Sequence, residues 1–108
     1  MTDVFKAIAD PTRREILLMV ANEPTNVNTI ADKFNMTRPA VSKHLKILSD
    51  NGLLIIQNSD IDGRQRNCYA QLGALKEIED FIKQLEIFWN SKLNNLGDYL
   101  DKKKGKKK

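Results

Sequence analysis

Two short apolar stripes, each at helical spacing and only a few residues apart, limit what this chain can fold into more than any other feature. In "NVNTIADKFN", Val27, Ile30, Ala31 and Phe34 recur at i, i+3, i+4 and i+7, the pattern of one buried helix face. In "MTRPAVSKHLKILSDNGL", Val41, Leu45 and Leu48 recur at i, i+4 and i+7, with Ala40 and Ile47 at the edges of the stripe. Asn35 lies between them, and asparagine tolerates the left-handed backbone that ends a helix. Thr37 can then cap the second helix. Pro39 is acceptable in a first turn, although the residue before a proline resists helical angles, which leaves the cap open between Thr37 and Arg38. Two helices meeting across about three residues form a helix-turn-helix. Gly52 supplies the stop.

The flanks extend this unit. "TDVFKAIADPTRREILLMVAN" reads as two helices. Val4, Phe5 and Ile8 form the first stripe, and Ile16, Leu17, Val20 and Ala21 the second. Asp10 is placed to cap the second helix, with Pro11 at its first position, where a missing N–H costs nothing. After Gly52, "LLIIQN" reads as a strand, "SDIDGR" as a turn with the Asp-Gly hairpin signal, and "QRNCYAQL" as the return strand. From Gly73 to Leu100 the pattern is helical again, with Leu75, Ile78, Ile82, Leu85, Trp89, Leu93, Leu96 and Leu100 stepping by threes and fours. The expected fold is mainly α with a small β-hairpin: a winged helix-turn-helix followed by a long C-terminal dimerisation helix.

Charge placement decides how the basic balance is read. The formal net charge is +4, but "KKKGKKK" at the end holds six lysines, and positions 1–100, with 12 basic and 13 acidic residues, are near −1. The expected division is a folded domain over 1–100 and a disordered lysine-rich tail over 101–108, since lysines that repel one another have nothing to pack against. Within the folded part, positions 36–66 carry five Lys/Arg against three acids, and positions 73–100 three against five. The modest positive charge therefore sits on the helix-turn-helix and hairpin. With apolar residues inward, Arg38, Ser42, Lys43 and Lys46 face outward and Thr37 stands at the exposed N-terminus. That end of the second helix of such a motif meets base edges in the major groove. Arginine can bond two acceptors on guanine at once, and hydroxyls and helix N-termini bind phosphate.

The stretches "FKAIADPTRREILLMV", "TIADKFNMTRPAVSKHLKILSDNGLL" and "GRQRNCYAQL" resemble the ArsR-type winged-helix repressors of bacteria. The resemblance is close over residues 4–72 and continues into the last helix. It implies a homodimeric repressor on a palindromic operator of double-stranded DNA. It places Arg38, Ser42, Lys43 and His44 on the recognition helix, joined by Thr37, Pro39 and Lys46, and Arg64, Gln65 and Arg66 in the wing. The founding members sense metals through a cysteine pair near the motif, or through His and acidic ligands on the last helix. This chain has one cysteine and one histidine, while a tetrahedral site needs about four ligands. It resembles instead the metal-independent branch, in which Phe88–Trp89 is a familiar pair, and no cofactor or metal is expected.

Several residues carry a plainer reading beside the functional one. His44 lies on a different side of its helix from Ser42, where it would bond backbone or phosphate more readily than bases. Cys68, mid-strand, reads as a small packed residue; a redox switch through it is the alternative. The apolar residues Val4, Phe5, Ile8, Leu85, Phe88, Trp89, Leu93 and Leu96 are expected at a dimer interface, because a small domain gains by sharing a core and tryptophan is too large to leave open. A winged helix that binds protein rather than DNA is the other alternative, but it should show acids or apolar residues where Arg38, Ser42, Lys43 and Lys46 stand. No phosphate loop or catalytic triad is present, so the chain does not read as an enzyme. No secretion signal is seen at "MTDVFKAIADPTRR", and no apolar run approaches the roughly 20 residues of a membrane span. With a single cysteine, a cytoplasmic setting is expected.

Overall fold

Side-chain caps begin each of the first four helices. In the computed structural model, which describes residues 2–58 and 66–104 and only the backbone of 95–104, α1 spans Val4–Ala7 and α2 spans Pro11–Asn22. Asp3 accepts a hydrogen bond from the Lys6 N–H, and Asp10 from the Arg13 N–H, both at 3.0 Å. A two-residue strand, β1 (Thr25–Asn26), leads straight into α3 (Val27–Phe34), and Asn26 caps that helix by accepting from the Thr29 N–H at 2.9 Å. Asn35 then takes the left-handed conformation, φ 54° and ψ 47°. Met36 N–H reaches Ala31 C=O at 3.0 Å and Asn35 N–H reaches Asp32 C=O at 3.3 Å, the pair of bonds that closes a Schellman end. Thr37, not Arg38, caps α4 (Arg38–Asp50), accepting from the Ala40 N–H at 3.3 Å.

The end of α4 repeats the device. Gly52, at φ 79°, lets Leu53 N–H bond Leu48 C=O at 2.9 Å and Gly52 N–H bond Ser49 C=O at 3.1 Å. Leu53 is thereby turned into the core, where it is fully buried. Strand β2 (Leu54–Asn58) follows at once and pairs antiparallel with β3 (Arg66–Ala70), Ile56 opposite Cys68. The sheet has three strands in the order β1-β3-β2. The expected hairpin is therefore incomplete as a description: Thr25 pairs with Cys68 and Asn26 with Asn67. Two residues show no alternation, so β1 leaves no pattern to read.

The described chain divides into two units, Met1–Glu77 and Ile78–Lys108. In the first, Ile16, Ile30, Val41, Leu45, Leu48, Leu53, Leu54 and Cys68 are fully buried. Burying such a side chain stabilises by about 1.5–3 kcal/mol each, so α2, α3, α4 and the sheet are held by one shared core. Ala21, expected on the buried stripe of α2, is exposed; the buried arc is set by Ile16, Leu17 and Val20, and Ala21 falls past its edge. Val4, expected at a dimer interface, is 4% exposed within its own chain. The one-turn helix α1 aims Val4 inward together with Ala7, three positions on. Phe5 and Ile8 are half-buried.

The described part of the second unit belongs to the helix α5 (Lys76–Lys104), which is entered through a 3-10 turn at Leu72–Leu75. It runs past the expected domain boundary at residue 100; the rest of the lysine tail, 105–108, lies outside the described residues. No helix among the described residues is long and apolar enough to cross a membrane.

Candidate nucleic-acid interface

The core assignment fixes which side of α4 remains outside. Val41, Leu45 and Leu48 are buried, and Arg38, Pro39, Ser42, Lys43 and Lys46 are exposed. Thr37 is exposed at the N-terminus. Its Oγ1 accepts the capping bond, which leaves the hydroxyl proton free to donate. The first turn carries no acid, so the positive end of the helix dipole meets no carboxylate of its own helix there. About two turns on, Lys46 Nζ binds Asp50 Oδ2 at 2.9 Å, with both side chains largely exposed. Exposed pairs of this kind are worth about 0–1 kcal/mol. Lys46 is thus partly neutralised, unlike the open cation the sequence suggests, but a phosphate can compete for it.

Arg66 opens β3 opposite Asn58 and is exposed. It shares a cleft of about 260 Å³ with Ser42, Lys46, Asp50 and Ile56, so the wing strand and the middle of α4 open onto the same space. Arg64, Gln65 and the Asp-Gly turn of the wing lie outside the described residues. His44 is half-buried on the flank of α4, with Nδ1 3.4 Å from Arg13 Nη1. Arg13 was not a candidate from sequence. It is one of two adjacent arginines, and only packing of α2 near α4 separates its role from that of Arg14. Arg14 instead donates to the Ile8 and Ala9 carbonyls.

Cys68 is fully enclosed in the central strand, and burial pushes its thiol up to about 11. A thiol held protonated and covered is a poor nucleophile, which weighs against the redox reading and for the packed one. Asp10 is held below the usual carboxylate range, first by the Arg13 N–H that it caps and further by the charge of Arg13. Among the described residues, no three His, Cys, Asp or Glu side chains gather as a metal ion would need. On α5, Leu85, Phe88, Trp89 and Leu93 are exposed, as are Phe81, Ile82 and Ile87; the Leu96 side chain lies outside the described residues.

Comparison with known proteins places this geometry. The family model described as "Bacterial regulatory protein, arsR family" matches residues 10–55, from the cap of α2 into β2. The HTH-type transcriptional regulator Rv2034 of Mycobacterium tuberculosis is 32% identical over 101 residues, covering 90% of this chain and 85% of that protein. The transcriptional repressor SdpR of Bacillus subtilis is 48% identical over 48 residues, covering 44% of this chain; that match spans only about half of SdpR, 53%. The crystal structure of an ArsR family transcriptional regulator, RHA00566, superposes with a TM-score of 0.72 at 28% identity, over 84% of this chain and 98% of that one.

Proposed function

Since the chain belongs to the arsR family of bacterial regulatory proteins, winged-helix transcriptional regulators rather than enzymes, we propose that it is a repressor that binds an inverted-repeat operator as a homodimer in the cytoplasm. The observation that carries this reading is the exposed edge of α4. Thr37, Arg38, Ser42 and Lys43 lie together on a capped helix N-terminus free of acids, above a face locked into the core. In this reading Arg38 reads a base pair, while Thr37, Ser42, Lys43 and the wing arginines, Arg66 and Arg64 with Gln65 between them, hold the phosphate backbone. Repression is supported by the name of the SdpR relative. Dimerisation is supported by α5, whose row of exposed aromatic and aliphatic residues is larger than a soluble helix carries without a partner.

Release from DNA is proposed not to depend on a metal. The only cysteine is buried in β3, and the only histidine is engaged by Arg13. The experiment that tests the function is selection of bound fragments from the source genome, followed by affinity measurements on the selected site. The expected site is an imperfect inverted repeat with half-sites roughly 10 base pairs apart, or a multiple of that. Arg38→Ala should cost roughly 1–3 kcal/mol on that site and relax preference at one base pair per half-site. An equal loss on every sequence would make Arg38 a phosphate clamp, and no enrichment of any site would overturn the reading.

A further inference from the structure

Among the described residues, Arg13 reaches from α2 to both α1 and the recognition helix. Its Nε donates to Ala7 C=O at 2.6 Å and its Nη2 to Lys6 C=O at 3.1 Å, while Nη1 lies 3.4 Å from His44 Nδ1. One half-buried guanidinium therefore bridges the carbonyl end of α1 and the middle of α4. A guanidinium offers only donors and keeps its charge. For this approach to be a hydrogen bond, His44 Nδ1 has to be the acceptor and so has to carry no proton. The neutral imidazole then has its proton on Nε2, the ring nitrogen turned away from Arg13. A proton added to Nδ1 would remove the acceptor and set two cations side by side. Asp10, whose carboxylate accepts from the Arg13 N–H, faces the pair, and Asp3, Asp50 and Lys6 line the cleft that Arg13 also lines.

We propose that Arg13 is a positioning residue for DNA binding: it locks His44 in the Nε2–H tautomer and so presents a fixed hydrogen-bond donor on α4 to a phosphate oxygen of the duplex. This rests on the DNA-binding reading above. A neutral donor suits the place, because it bonds a phosphate without needing the ring to gain charge. The neighbouring Arg14 is the natural control. It too donates to carbonyls between α1 and α2, from Nη1 to Ile8 C=O at 2.8 Å and Ala9 C=O at 3.2 Å, but has no bond to His44 among those described.

Two measurements test this. His44 is the single histidine of the chain, so long-range proton–nitrogen spectra of the DNA-free protein, taken well above the ordinary histidine range of about 6.5, report its tautomer without assignment. The wild type should show only the Nε2–H form, and Arg13→Met should admit the Nδ1–H form. A wild type protonated at Nδ1 overturns the proposal. The second measurement is a cycle of operator affinities. Arg13→Met should weaken binding about threefold to tenfold, the span of one hydrogen bond, and should cost nothing further in a His44→Ala background. Arg14→Met should cost the same in both backgrounds. Additive losses for Arg13→Met and His44→Ala would reduce Arg13 to a structural tie and overturn the proposal. If the wild type binds no duplex at all, the functional reading has failed, and the spectra still decide the tautomer.

Discussion

Replacing Trp89 by alanine tests the dimer most directly. Trp89 is 62% exposed in the single chain. A tryptophan offers 150–250 Å², so roughly 100–150 Å² per chain stands open to a partner. At about 25 cal/mol per Å² that area is worth roughly 2.5–4 kcal/mol per chain when fully covered. Alanine retains little of it, and coverage of half the area gives about 2–4 kcal/mol over the two chains of a dimer. Since about 1.4 kcal/mol is tenfold, the dimer dissociation constant should rise at least about 30-fold. The fold of one chain should not suffer. The side chain is largely open already, and alanine is the better helix former by about 0.5 kcal/mol. Sedimentation equilibrium across a concentration series, with helix content followed by circular dichroism, separates the two effects. Operator affinity should fall with the dimer. An unchanged dissociation constant, or a wild type that is a clean monomer at micromolar concentration, would refute the assignment of this stripe to self-association.

Three further outcomes are expected. Zinc or a chelator should leave operator affinity unchanged and Cys68→Ser should bind like wild type, read by fluorescence anisotropy; a marked loss with zinc would show that the protein holds a metal and refute this expectation. Asp10→Asn should reduce thermal stability at neutral pH, and the gap should close in acid: a carboxylate held below its ordinary value of 3.8 stabilises above that value and ceases to as pH falls through its lowered one, so a gap that persists in strong acid would point to lost geometry rather than lost charge. Deleting residues 102–108 takes the formal charge from +4 to −2; the shortened chain should bind random DNA more weakly with a shallower salt slope, by about 0.9 per lost phosphate contact, while its ranking of operator variants stays the same.

The sequence by itself determined the local architecture. The cap at Asp10, the left-handed Asn35, the Gly52 stop and the inward row Val41, Leu45 and Leu48 are each legible because they depend on neighbours three or four positions away, whereas the cap of α4 stays open between Thr37 and Arg38 until the structure gives Thr37. Once that inward row is fixed, the outward row Arg38, Ser42, Lys43 and Lys46 follows from helix geometry alone. What tertiary structure decided are the relations between distant positions. Thr25 joins the sheet only because Cys68 arrives beside it, 43 positions later. Val4 turns out to be covered by its own chain, because a single turn of helix carries too few residues to show which way it faces. Arg13 and Arg14 are indistinguishable as letters, and the packing of α2 near α4 brings only the first to His44. Periodicity records which side of an element is buried; it carries no record of which side chain from elsewhere will meet it, because that depends on how separate elements dock, and docking is fixed by the shape of the whole core.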